Sequence, residues 1–158
     1  MIKVLFVCHG NICRSPMAEF IFKDIVKKAG MENDFIIKSA ATSSETIFGG
    51  VGSPVYPPAK KELEKHSLSC DKKLSARIKK EDYQIYDYIV VMDNNNLRNI
   101  MPIIGADKDS KVKKLLSFAG QSRDVSDPWY TRDFETCYKD ILLGCNALLG
   151  QIKLDSQA

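Results

Sequence analysis

Residues 2–8 form an apolar, largely β-branched run of strand length that is cut off by Gly10 and followed at once by helical periodicity. Over residues 14–29, Met17, Ala18, Ile21, Phe22, Ile25, Val26 and Ala29 recur at helical spacing, with Pro16 in the first turn and Gly30 as the stop. Strand, turn and helix are thus written into the first thirty residues, and the helix buries one face.

The rest of the chain repeats that alternation. A second strand is expected over Phe35–Ala41, then a loop rich in Ser, Thr and Gly at 42–54, a helix over 57–66, a strand over 86–92 and a helix through Ile100 that Asp93-Asn94-Asn95-Asn96 can cap. Residues 111–118 read as a fourth, shorter strand and 121–130 as a loop. Residues 133–153 carry Phe134, Cys137, Tyr138, Ile141, Leu142, Cys145, Leu148, Leu149 and Ile152 at helical spacing. Strands alternating with helices imply right-handed crossovers, and so a three-layer αβα fold with a four-stranded parallel sheet and the first loop at its carboxyl edge. At 158 residues one domain suffices. It is expected over residues 1–154, with 155–158 as a frayed tail.

A chain that is 44% hydrophobic and 27% charged lies outside the disordered and fibrous classes. No stretch approaches the roughly 18 apolar residues of a membrane span, and residues 1–10 do not read as a secretory signal. Five cysteines without framework spacing suit a reducing compartment, so a cytoplasmic location with no membrane association is expected. A net charge of +3 is too small to predict a nucleic-acid partner. Its local source is the lysine-rich stretch 60–80, read as a solvated face or as a patch that attracts anionic substrates.

The segment Cys8-His9-Gly10-Asn11-Ile12-Cys13-Arg14-Ser15-Pro16 carries the chemistry. A thiol at a strand end that faces a helix N-terminus meets converging N–H groups and the positive end of the dipole, which favours thiolate over thiol. Cys8 is therefore the candidate nucleophile. The backbone of His9, Gly10, Asn11, Ile12, Cys13, Arg14 and Ser15 can hold the oxygens of a phosphoryl group. Gly10 allows conformations closed to other residues, and Asn11 tolerates positive φ. Arg14 can place its planar fork over two phosphoryl oxygens, and Ser15 can donate a hydrogen bond to the sulfur. No zinc site is expected, because Cys8 and Cys13 lack paired ligands at finger-like spacing. No cofactor is called for.

These residues resemble the Cys-x5-Arg-Ser signature of the low-molecular-weight protein tyrosine phosphatases. Similar family segments are Ser15-Pro16-Met17-Ala18-Glu19, Ser39-Ala40-Ala41-Thr42, Val91-Met92-Asp93, Asn96-Leu97-Arg98 and Asp127-Pro128-Trp129-Tyr130, continued at Asp133-Phe134-Glu135. The resemblance implies hydrolysis of phosphotyrosine in protein substrates through a phosphocysteine on Cys8, with inorganic phosphate as product and a monomer or weak dimer as the working state. It implies that Asn11, Ser15, Ser39 and His66 support the loop. From the residues alone Asp124, Asp127 and Asp133 are comparable acids; the resemblance selects Asp127 as general acid and then base. It also implies a redox role for Cys13, which can trap an oxidised Cys8 as a disulfide.

Trp129 and Tyr130 follow that acid and are read as walls for an aromatic ring, with core packing as the alternative; Ile12 supplies an apolar floor. The loop 43–53 is longer than the commoner family form, and Phe48 is the wall residue expected from it. Cys137 and Cys145 read as core, and Cys70 has no assigned role. Three rival readings are an arsenate reductase, which would need further cysteines after the third strand, a protein arginine phosphatase, whose loop carries Thr where Ile12 stands, and a non-catalytic phosphate-binding module, which would need neither Cys8 nor Asp127.

Overall fold

The computed structural model describes residues 1–158. Strand β1 (Ile2–Cys8) lies inside a four-stranded parallel sheet of order β2-β1-β3-β4, where β2 is Phe35–Ala41, β3 is Tyr88–Val91 and β4 is Val112–Lys114. Six helices connect and cover it: α1 (Arg14–Lys28), α2 (Pro57–Lys65), α3 (Asp82–Ile85), α4 (Asn94–Ile104), α5 (Pro128–Thr131) and α6 (Phe134–Gln157).

The apolar run of β1 has no polar alternation because both of its faces are covered. Val4, Phe6 and Cys8 point into a core shared with α1, α2 and α6, whereas Leu5 and Val7 point into a second core with Ile100 and Ile104 of α4. Two cores on opposite faces of one sheet make the three-layer αβα architecture. Val4, Leu5, Phe6 and Val7 are all buried, and each is worth about 1.5–3 kcal/mol relative to exposure. The β1–β2 register runs from Ile2↔Phe35 to Cys8↔Ala41, so the two strands end together. Their common edge is where the loop before α1 begins.

Several elements depart from the periodicity reading. The strand expected over 111–118 pairs only at Val112, Lys113 and Lys114, then coils into a 3-10 turn at Leu115–Ala119. Leu115 and Leu116 are both fully buried, and two consecutive residues can face one side only if the strand alternation is broken. The helix after Asp93 continues past Ile100 to Ile104 despite Pro102, and Gly105 at φ 90 ends it. The expected loop 121–130 contains the start of α5, capped by Asp127. Residues 155–157, expected as frayed tail, are helical: Ile152 is buried and the Tyr88 hydroxyl donates to Asp155 at 2.6 Å. No helix is long and apolar enough to cross a membrane.

Candidate active site

The loop between β1 and α1 is shaped by Asn11, which sits in the left-handed region at φ 57 with its side chain buried. Its amide Nδ2 donates to Ser15 Oγ at 2.8 Å and to Ser39 Oγ at 2.9 Å, and its Oδ1 accepts from the Ala76 N–H at 3.1 Å. Every polar atom of Asn11 is thereby used to hold the turn. Gly10 is not in the left-handed region; a Cβ there would lie 3.2 Å from Thr46 Cγ2 and would press on that methyl.

Cys8 Sγ lies 3.0 Å from Ser15 Oγ and accepts from the Asn11 N–H at 3.3 Å. Ser15 Oγ accepts from Asn11, and its own hydrogen can turn to the sulfur or to the Ala40 carbonyl 3.5 Å away. A thiolate at Cys8 would draw it to the sulfur, beside the Asn11 N–H. The amides of Gly10, Ile12, Cys13 and Arg14 donate to no other backbone group, as befits the first turn of a helix.

Arg14 is 3% exposed. Its Nη1 donates to Asp93 Oδ2 at 2.7 Å and to the Val125 carbonyl at 2.8 Å, and its Nη2 lies 3.5 Å from Asp127 Oδ2. Burial works to lower the pKa of this guanidinium, but Cys8, Asp127 and Asp93 together hold it above the usual arginine value. It stays charged. Asp93 is pinned in turn as the N-cap of α4, accepting from the Asn96 N–H at 2.7 Å in a capping box.

Asp127 caps α5: its Oδ1 accepts from the Trp129 N–H at 3.0 Å, and Pro128 fills the first helical position. The Val125 N–H donates to the Met92 carbonyl at the end of β3, which ties this segment to the sheet edge. Cys13 is buried; that burial, reinforced by the charges of Cys8 and Asp127, pushes its thiol up to about 12. Cys13 therefore stays protonated at neutral pH.

Together these groups line a cleft of about 370 Å³. Cys8, Cys13 and Arg14 are its buried part, His9, Gly10 and Ile12 come from the same loop, and Asp127, Trp129 and Tyr130 come from the late segment. Trp129 is 48% exposed and Tyr130 81%, so neither is a core residue. No three His, Cys, Asp or Glu side chains converge as a set of metal ligands.

Two expected site residues lie elsewhere. Phe48 is 70% exposed at a turn that pairs it with Val51 through Gly49 and Gly50, while Glu45 and Thr46 are the residues of that loop that reach the cleft. His66 is not in the Asn11 network. It bonds Glu62 at 3.1 Å and stacks on Tyr138 at 3.7 Å, because its place one helical turn after Glu62 turns it between α2 and α6. The loop network extends instead to Glu19, 3% exposed, which accepts from Ser39 Oγ at 2.6 Å and from Lys23 Nζ at 2.6 Å and lies 3.3 Å from Lys73 Nζ. Sequence reasoning assigned no role to Glu19 or Lys73 and read Asp93 only as a helix cap. The cap pattern of Asp93 with Asn96 was visible, but its grip on Arg14 spans 79 positions.

The model of the low molecular weight phosphotyrosine protein phosphatase family matches residues 3–158. The low molecular weight protein-tyrosine-phosphatase YfkJ of Bacillus subtilis is 38% identical, with 99% of each chain covered. The low molecular weight phosphotyrosine protein phosphatase of Gallus gallus is 38% identical, with 93% of each covered. Among solved structures, YfkJ from Bacillus subtilis superposes with a TM-score of 0.91 at 37% identity, covering 98% of this chain and 96% of that one. DARP, described as a drosophila arginine phosphatase, superposes with a TM-score of 0.85 at 32% identity, covering 96% of this chain and 98% of that one.

Proposed function

Because this chain belongs to the low molecular weight phosphotyrosine protein phosphatases, which are hydrolases, we propose that it cleaves phosphotyrosine by double displacement at Cys8. In the first step Cys8 Sγ attacks phosphorus as the phosphorus–phenol oxygen bond breaks. The bonding electron pair leaves on that oxygen, which takes a proton from the Asp127 carboxyl. In the second step the Asp127 carboxylate removes a proton from water, water oxygen attacks the phosphocysteine, and sulfur departs as thiolate toward the Ser15 hydroxyl. Inorganic phosphate is released.

The observation that carries this reading is the sulfur of Cys8 between the Ser15 hydroxyl and the Asn11 N–H, in one cleft with Arg14 and Asp127. The loop amides that donate to nothing else supply hydrogen bonds to the equatorial phosphoryl oxygens, and the charge of Arg14 matches the charge spread of the transition state. Asp93 and the Val125 carbonyl hold only Nη1 of Arg14. Nε, and the Nη2 hydrogen not directed at Asp127 Oδ2, remain for the substrate.

Ile12, Trp129 and Tyr130 present apolar surface beside this centre and favour an aryl ester. Trp129 is held for that role by its tilted contact with Tyr56, with ring centroids 4.8 Å apart. Phosphotyrosine proteins are accordingly the substrates, and the monomer or a weak dimer is the working form. Cys13 guards Cys8 against over-oxidation: once a peroxide has oxidised Cys8 to the sulfenic acid, the Cys13 sulfur attacks it, water leaves, and a disulfide forms. The five free thiols support a cytoplasmic location.

The test is turnover of a phosphotyrosine peptide, phosphoarginine, and arsenate with a thiol reductant, each with chelator present. Phosphotyrosine should be preferred, and Cys8→Ser should abolish its turnover. Preferred turnover of phosphoarginine or arsenate would overturn the tyrosine reading. A fully active Cys8→Ser enzyme would overturn the mechanism.

A further inference from the structure

Arg132 ends α5 in the left-handed region at φ 60, a conformation that suits glycine or asparagine and is strained for arginine. The side chain has a use there. Its Nη2 donates to the Tyr56 hydroxyl at 3.0 Å, its Nη1 to the Trp129 carbonyl at 3.4 Å, and its guanidinium lies 5.5 Å from the ring of Tyr56 and 5.8 Å from that of Phe134.

Tyr56 stands at the crossing of three segments. Its backbone N–H donates to the Ile12 carbonyl of the phosphate loop at 2.9 Å, its ring packs on Trp129 at 4.8 Å, and its hydroxyl accepts from Arg132. Within α5 only Pro128 is buried. Asp127 reaches Arg14 only at 3.5 Å, and the Val125 N–H bond to Met92 lies upstream of the acid.

We propose that Tyr56 and Arg132 are positioning residues, a clasp that fastens the turn bearing Asp127 to the phosphate loop and so fixes the acid relative to the sulfur. This rests on Asp127 being the general acid. A proton donor displaced by an ångström loses much of its effect, and the loss grows with the basicity of the leaving oxygen. The clasp therefore serves esters of unactivated phenols, of which phosphotyrosine is one.

The experiment measures kcat/KM for phenyl phosphate and for an activated nitrophenyl phosphate in Arg132→Gly, Tyr56→Phe, the double variant and Asp127→Asn. Arg132→Gly removes the strain along with the clasp, so its thermal midpoint should stay within about 4 °C of the parent. Its kcat/KM should fall about tenfold on phenyl phosphate and no more than about twofold on the nitrophenyl ester. Tyr56→Phe should shift the two esters in the same sense, and the double variant should add nothing to Arg132→Gly. Equal slowing of both esters by Arg132→Gly, or none, overturns the clasp when Asp127→Asn still discriminates between them. If Asp127→Asn itself slows both esters equally, the acid assignment falls and the clasp with it.

Discussion

Replacing Glu19 by Gln tests the buried charge cluster behind the phosphate loop. The substitution preserves shape and leaves an amide oxygen for Ser39 Oγ, but it removes the charge opposite Lys73 and Lys23. Lys23, with 42% of its side chain exposed, is screened by solvent, and its share is about 0.5 kcal/mol. Converting a charge-assisted bond from Ser39 to a neutral one costs about 1 kcal/mol. Lys73, whose side chain is only 13% exposed, keeps the Ser39 carbonyl at 3.0 Å but loses its counter-charge, for about 1–2 kcal/mol more. The expected loss is about 3 kcal/mol, or about 6–12 °C in Tm for a chain of this size.

Lys73 supplies a second signature. Burial lowers its pKa, and Glu19 opposes that shift. A lowered lysine pKa means that the unfolded chain binds the proton more tightly, so this group favours folding more as pH rises toward the unfolded value. Without Glu19 the lowering deepens, and the deficit of Glu19→Gln should narrow between pH 8 and about 10. Urea denaturation across that range measures it, and Lys73→Met in the Glu19→Gln background should recover at least about 1 kcal/mol. A Glu19→Gln loss below about 0.5 kcal/mol, or strictly additive single variants, would refute the coupling.

Two further outcomes follow from other parts of the molecule. With its pKa held near 12, Cys13 is almost wholly thiol at pH 8, so iodoacetamide should label Cys8 and spare Cys13, as read by peptide mass spectrometry; equal labelling would refute the assignment. In α6, a Cβ at Gly144 would lie 2.4 Å from buried Leu115 Cγ, whereas nothing lies within 4 Å of one at Gly150. Gly150→Ala should therefore stabilise by about 0.5–1 kcal/mol and Gly144→Ala should destabilise by about 1–2 kcal/mol in urea titrations; the same sign for both would contradict the packing.

What the sequence made legible is what local chemistry determines. The β1-loop-α1 unit follows from an apolar run, a glycine and a helical stripe within thirty residues, and the positive φ of Asn11 follows from its own side chain. The sulfur's bond to Ser15 needed only their spacing around the first turn. Contacts set by tertiary closure were not legible. Nothing in the composition of α1 says that Glu19 faces β2, or that a lysine 54 positions later comes to it. His66 was misplaced because one helical turn behind it Glu62 offers a nearer partner. Phe48 was misplaced because two left-handed glycines turn it outward, and hydrophobicity alone does not reveal the direction of a turn.

The proposed nucleophile is the last residue of a strand hemmed in on both sides and on both faces. Such a residue is anchored to the part of the protein slowest to open, so its amide exchange should track global unfolding. Conformational control of turnover, as opposed to redox capping of Cys8 by Cys13, must then reside in the other half of the cleft. The sulfur is the anvil, and only the acid-bearing turn can act as the hammer.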